Sequence, residues 1–129
     1  MNTDHKKTLS VLVEEEGWIR SYWGKYFQNY DWPLIIFDKP EDFLFSLHNL
    51  FYEFGTIHFY LDQDFGTQRG VGVTLAKEIK EKSPQSPVYL VTAYPACLFE
   101  NEIHSGLLDY VYPKSPEEIF GELALEAAT

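Results

Sequence analysis

The sequence predicts a doubly wound α/β fold, with five parallel strands in the order 2-1-3-4-5 and helices on both faces of the sheet. Two observations carry that expectation. Short apolar runs alternate with longer stretches of helical spacing along the whole chain, which is the signature of βαβ units with right-handed crossovers. Four of the runs also end on charge or a hydroxyl: VLV on Glu14-Glu15, IHFYL on Asp62, VYLV on Thr92 and YVYP on Lys114. Ligands of an open parallel sheet bind outside the carboxyl ends of its strands, where strand order reverses.

Leu9–Val13 reads as a first strand buried on both faces. Trp18, Ile19, Tyr22, Trp23, Tyr26, Phe27 and Tyr30 then recur at helical spacing, with Glu14–Glu16 at the helix entrance, where negative charge suits the dipole. Asp31-Trp32-Pro33 breaks this helix, and Leu34–Phe37 is the second strand. Asp38 reads as the next N-cap with Glu41 three residues on. Phe43, Leu44, Leu47, Leu50, Phe51 and Phe54 mark a helix face, and Gly55 ends it. Ile57–Leu61 is the third strand, followed by a polar loop from Asp62 to Gly70. Val73, Leu75, Ala76 and Ile79 give a helix closed by Ser83-Pro84, and Val88–Val91 is the fourth strand. A weak helix is expected from Pro95 to His104, stopped by Gly106, then a fifth strand at Leu108–Tyr112. Ser115-Pro116-Glu117-Glu118 forms a capping box that opens the last helix.

The 129 residues suit one domain with a single core, made aromatic-rich by an FWY content of 17%. A net charge of −10 with scattered basic residues argues against nucleic acid or an anionic membrane as partner. Cys97 is the lone cysteine, read as structural, and one cysteine favours a reducing compartment. No signal peptide or membrane-length apolar run is visible, so a soluble cytoplasmic protein is expected.

In the order 2-1-3-4-5 the first and third strands are neighbours, which brings Glu14, Glu15 and Asp62 to one edge. Carboxylates about 5 Å apart repel by roughly 3 kcal/mol at an effective dielectric near 20. Such a cluster raises its own pKa values or recruits a cation, and an all-oxygen donor set suits Mg²⁺. Blander readings stand beside these. Glu14–Glu16 can simply load a helix N-terminus, Thr92 can be a turn residue and Lys114 a solvated surface lysine. The glycines form no phosphate-binding fingerprint, and the histidines have no metal-ligand spacing.

These segments resemble the receiver domain of two-component response regulators over essentially the whole chain. VLVEEEGWIR is similar to the family's first-strand motif, with Glu14 and Glu15 at the acidic pair and Arg20 at a common arginine. IIFDKPEDF is similar to the second-strand exit. FYLDQDFG resembles the phosphoacceptor strand, LVTAYP the switch threonine followed by a small residue, and DYVYPKSPEEI the last strand with its lysine. The sequence departs from the pattern in having glutamate at both acidic positions, Gly66 where proline is common, a longer loop from Asp62 to Gly72, and Ser115 after the lysine.

The resemblance implies a flavodoxin-like (βα)5 fold and one receiver domain over residues 1–129 with no output domain. It implies a signalling domain rather than an enzyme, whose only chemistry is its own phosphorylation and dephosphorylation. Asp62 would accept a phosphoryl group from a sensor histidine kinase, a phosphotransfer protein or a small acyl phosphate. Mg²⁺ would be held by Glu15, Asp62 and the backbone carbonyl of Asp64, with Glu14 acting through water. Thr92 and Lys114 would bind the phosphoryl oxygens, Asp64 and Tyr94 would flank the group, and Tyr110 or Tyr112 would turn inward as the switch. Signalling would run through a downstream protein target, with a homodimer allowed. Two alternatives stay open: a degenerate receiver that binds partners without phosphorylation, and a haloacid-dehalogenase-like phosphatase suggested by Asp62-Gln63-Asp64.

Overall fold

A computed structural model describes residues 8–121. Its sheet has the order β2-β1-β3-β4-β5 and every pairing is parallel. The strands are β1 (Leu9–Val13), β2 (Leu34–Phe37), β3 (Ile57–Leu61), β4 (Val88–Val91) and β5 (Tyr110–Tyr112). The first four lie at the expected residues. The fifth starts two residues later than Leu108, because the Asp109 carboxylate, not a main-chain group, accepts the Val88 N–H at 2.7 Å. Lys80 Nζ, 3.2 Å away, holds that carboxylate in place.

Between the strands run α1 (Gly17–Asn29), α2 (Pro40–Glu53), α3 (Val71–Lys82) and α4 (Glu100–His104). A fifth helix, α5, is described over residues 116–121. The expected helix from Pro95 to His104 is a 3₁₀ turn, Ala96–Phe99, followed by the five residues of α4. Phe99 is buried there but Leu98 is exposed and α4 buries nothing, too little apolar contact to carry a longer helix. Helix α1 stops at Asp31, which takes a left-handed φ of 55°. Its N–H reaches Gln28 O at 3.1 Å and that of Trp32 reaches Phe27 O at 3.0 Å, a Schellman closure on an aspartate.

Two expected caps differ. Lys39, not Asp38, is the residue before α2, without a side-chain cap bond, and Pro40 occupies the first turn. Phe54 closes α2 in extended backbone, so no left-handed Gly55 is needed. The polar loop after β3 ends at Gly70 as expected, its φ of +74° preceding the first residue of α3, so Gly72 belongs to the helix and not to the loop.

Alternate residues of the strands feed two cores. Val11, Val13 and Phe59 pack with Phe43 and Leu47 of α2 and Leu75 and Ile79 of α3. Leu12 and Tyr60 pack on the opposite face with Trp23, Phe27 and Phe120. This second core is aromatic: Trp23 stacks on Phe27 at 5.7 Å, and Phe120 meets Phe27 edge-on at 5.2 Å. Such pairs add about 0.5–1.5 kcal/mol each beyond the area they bury. The same Trp23 donates its Nε1–H to the Lys114 carbonyl at 2.9 Å. The aromatic core thereby fixes the loop that carries Lys114.

Candidate functional site

The sheet itself places three of the residues at its carboxyl edge. Each continues its strand by one hydrogen bond: Glu14 N–H to Phe37 O at 3.0 Å, Asp62 N–H to Val13 O at 2.9 Å and Thr92 N–H to Tyr112 O at 2.9 Å. Lys114 arrives from the far edge of the sheet. Its Nζ lies 3.2 Å from Asp62 Oδ1, 3.2 Å from Glu14 Oε1 and 3.9 Å from Glu16 Oε1. Side chains from three strand ends thus meet, while Thr92 lines the pocket beside Asp62 and Lys114 with its hydroxyl accepting the Tyr94 N–H at 3.2 Å.

Glu14 is fully buried. Its Oε2 accepts the Glu16 N–H at 3.0 Å, while Oε1 has no hydrogen-bond donor despite the nearby ammonium. Burial pushes the Glu14 carboxyl up to about 7; the Glu16 N–H opposes that, the adjoining Asp62 adds to it, and Lys114 only partly offsets it. For Lys114, burial acts to lower the pKa, but Glu14 and Asp62 outweigh it and hold the ammonium above its usual value.

Glu15 behaves differently from its neighbour. It is exposed and its Oε2 accepts the Gly66 N–H from the loop after β3. Glu14, Glu15 and Asp62 are therefore not gathered as the expected three-acid cluster: among the described residues, no three acidic, histidine or cysteine side chains are arranged to hold a metal ion. Their chemistry nevertheless fits a hard divalent cation, since Glu14 Oε1 is a buried carboxylate oxygen lacking a donor, beside a second carboxylate. Glu15, Asp62, Asp64, Thr92, Tyr94 and Lys114 line one open pocket of about 450 Å³.

Asp64 and Tyr94 are joined rather than separate. Tyr94 donates its hydroxyl to Asp64 Oδ2 at 2.7 Å, and Asp64 Oδ1 accepts the Gly70 N–H at 3.0 Å. Arg69 donates to the Tyr94 oxygen at 2.9 Å and lies 3.4 Å from Asp64. The Tyr94 hydroxyl and then the Gly70 N–H lower the Asp64 pKa, and the same bond raises that of Tyr94. Of the two expected switch residues, Tyr110 is exposed, and Tyr112 is part-buried between Tyr110 and Tyr89 at 5.1 and 5.5 Å. The residue β5 buries is Val111. Tyr112 also borders an apolar groove of about 660 Å³ with Trp18, Ile19, Pro95 and Pro113. Cys97, expected to be structural, is exposed.

Four contributors were missed by the sequence reading or left without a role there. Arg20 donates to the carbonyls of Glu14, at 3.1 Å, and Glu15, clamping the β1–α1 loop. Arg69 completes the Asp64–Tyr94 bridge. Gln63, nearly buried, accepts the Val73 N–H at 3.0 Å through its side chain and the Gly72 N–H at 3.1 Å through its carbonyl. Gly72 lies so close to Asp62 that a Cβ would come within 2.6 Å of the Asp62 carbonyl oxygen. The one signal within reach was glycine in the first turn of a helix, where it costs stability unless close packing requires it.

Comparison with solved structures finds this arrangement of strands and helices in response-regulator receiver domains. The response regulator TrrA of Thermotoga maritima, solved with Mg²⁺ and a beryllium fluoride, is similar at 20% identity over 94% of this chain and 98% of that one, with a TM-score of 0.67. The chemotaxis response regulator CheY4 of Vibrio cholerae matches at 14% identity over 92% and 97%, with a TM-score of 0.71. The CheX–CheY complex of Borrelia burgdorferi with BeF₃ and Mg²⁺ gives 12% identity over 94% and 86%, with a TM-score of 0.70. No family model and no curated protein matches the sequence. The chain has the flavodoxin-like fold of CheY-type receivers.

Proposed function

We propose that the chain is a response-regulator receiver, phosphorylated on Asp62 by a histidine kinase or phosphotransfer protein and signalling through protein contacts. The observation that carries this reading is Lys114 Nζ at 3.2 Å from both Asp62 and the buried Glu14, at the carboxyl edge of a 2-1-3-4-5 sheet. An Asp62 oxygen attacks phosphorus as the bond to the donor's imidazole nitrogen or acyl oxygen breaks, and the leaving atom keeps the electron pair. The protein's part in such a transfer is positioning and electrostatics. Lys114 draws the incoming phosphoryl oxygens toward Asp62, and Thr92, buried at the next strand end, offers a hydroxyl. Arg20 keeps the β1–α1 loop in register with both.

Glu14, Glu15, Asp62 and the main-chain carbonyl of Asp64 are the groups that would hold Mg²⁺. Bound there, the ion would neutralise charge on the phosphoryl oxygens. That TrrA, which shares this fold, was solved in complex with Mg²⁺ and a beryllium fluoride supports a metal for this chain. Receivers act as signalling domains, so the chemistry proposed for this chain is confined to its own aspartate.

A second reading, a receiver that binds partners without phosphorylation, is favoured by a specific observation. Lys114 already pairs with both Glu14 and Asp62, and the Gly66 N–H engages Glu15. The phosphatase reading needs its nucleophile on the first strand, whereas Asp62 follows β3. Incubation with acetyl phosphate and Mg²⁺, read by intact mass, separates the remaining two. The wild type is expected to gain one phosphoryl group and Asp62→Asn none. Labelling of the mutant through Asp64 would remove Asp62 from its role, and no uptake by folded wild type would establish the second reading.

A further inference from the structure

Helix α2 carries two apolar faces. One buries Phe43, Leu47 and Leu50 against the sheet. The other leaves Phe45 87% and Tyr52 86% exposed, with Leu44 beside them at 39%. Phe45 and Tyr52 are seven positions apart, which places their rings in line and about 10 Å apart along the axis. A helix apolar on both sides is ordinarily covered on both. Anchors at this spacing are what helix-against-helix recognition uses.

The charge around this stripe limits what could cover it. Residues 40–53 contain no lysine or arginine. Glu41 and Asp42 are exposed at one end and Glu53 at the other; Lys39, just before the helix, is matched by the exposed Asp38. Besides Tyr52 itself, His48 is the other titratable group on the face. A second copy docked antiparallel would set Glu41 and Asp42 against Glu53, within a pair of chains of net charge −10 each. An anionic membrane is repelled for the same reason. We propose that the outer face of α2 docks an amphipathic helix of a partner protein, one whose apolar ridge is flanked at both ends by lysine or arginine. The acids at the two ends are twelve positions apart, so the partner's basic groups stand about 18 Å apart. Nothing in this inference depends on phosphorylation of Asp62.

The test uses the isotope-labelled full chain and two synthetic helical peptides of about 18 residues sharing one apolar ridge. One peptide carries lysine and arginine at both ends, the other glutamate. The basic peptide is expected to shift amide resonances on the outer face of α2, and the acidic one to leave them unchanged. Phe45→Ser with Tyr52→Ser, both outside the core, should weaken binding by at least about tenfold. Glu41→Lys, Asp42→Lys and Glu53→Lys together should reverse the peptide preference. Equal binding of both peptides, shifts located elsewhere, or no binding by the wild type would overturn the proposal. So would self-association that Phe45→Ser abolishes, since that assigns the face to a second copy.

Discussion

Replacing Gly72 by alanine sets two rules against each other. In a helix the change ordinarily stabilises by about 1 kcal/mol, because glycine loses more backbone entropy. At Gly72 the new Cβ would lie 2.6 Å from the Asp62 carbonyl oxygen, 2.6 Å from Leu90 Cδ2 and 2.9 Å from Gln63 Oε1, where ordinary contact begins near 3.4 Å. Asp62 cannot retreat, since its N–H is bonded to Val13 O at 2.9 Å and its carboxylate faces Lys114. Helix α3 must move instead, at the expense of the Gly72 and Val73 bonds to Gln63. Two hydrogen bonds at about 1 kcal/mol each and overpacking at about 1–3 kcal/mol outweigh the helix gain, a net loss of about 2–4 kcal/mol.

The assay is urea unfolding followed by tryptophan fluorescence, with Gly24→Ala as control. Gly24 is also helical, but its Cβ would meet only Ile36 Cδ1, at 4.0 Å. That variant should gain about 1 kcal/mol, and Gly72→Ala should lose. If Gly72→Ala is as stable as wild type or more so, α3 is not seated on the Asp62 backbone and the steric argument fails. A loss of stability with full phosphoryl uptake would show that α3 supports the fold without positioning Asp62.

Tyr94→Ala should speed loss of the phosphoryl label more than Asp64→Asn changes it, because the ring excludes water while the carboxylate's field is partly screened. A decay at or below the wild-type rate refutes that, and Tyr94→Phe separates the cover from the bond to Asp64. Mg²⁺ titration read by Trp18 fluorescence should saturate, and Glu15→Gln should weaken binding about tenfold, or about 1.4 kcal/mol; equal affinities would place the ion elsewhere. Arg20→Ala should leave the core intact but speed hydrogen exchange at the amides of Glu15 and Glu16, whose loop it clamps, and unchanged exchange would deny the clamp.

The periodicity of the chain was enough to place β1 to β4, and their burial patterns show why. Leu9–Val13 is covered on both faces, so its apolar run has no competing explanation. The fifth strand was misjudged where a side chain replaces the main chain in the ladder, as Asp109 does, since composition cannot distinguish a buried residue such as Leu108 from a paired one. Caps failed for a related reason. Asp38 has the right chemistry, but Pro40 starts α2 without it. The site was legible only to the extent that each member ends a strand. That Glu14, Asp62, Thr92 and Lys114 all lie at the carboxyl edge could be foreseen, because the sheet order fixes which ends are adjacent. The division of labour within Glu14-Glu15 could not be foreseen, because it depends on which carboxylate meets the Gly66 N–H. Nor could the bond between Asp64 and Tyr94, thirty positions apart, which exists through the curl of two loops.

Glu14 gives the site a pH dependence whose sign separates the two readings of it. Its folded pKa of about 7 lies above its ordinary value of 4.5. A group raised in this way contributes stability that is fully present below 4.5 and is lost as pH climbs through about 7. Over that window the metal-free protein should lose stability, by at most about 3 kcal/mol. Asp64, whose pKa is lowered, works in the opposite sense but titrates on the acid side of the window. A cation that took Glu14 as ligand would favour its carboxylate, flatten the profile and release a proton on binding near neutral pH. If Lys114 alone compensates the site, as in the phosphorylation-independent reading, Mg²⁺ should change neither. Thermal unfolding between about pH 5 and pH 8, with and without Mg²⁺, reads both effects. Glu14→Gln should be flat under all conditions. A wild-type stability that rises across this range would mean that Glu14 carries its charge at no cost, and that burial does not dominate the site.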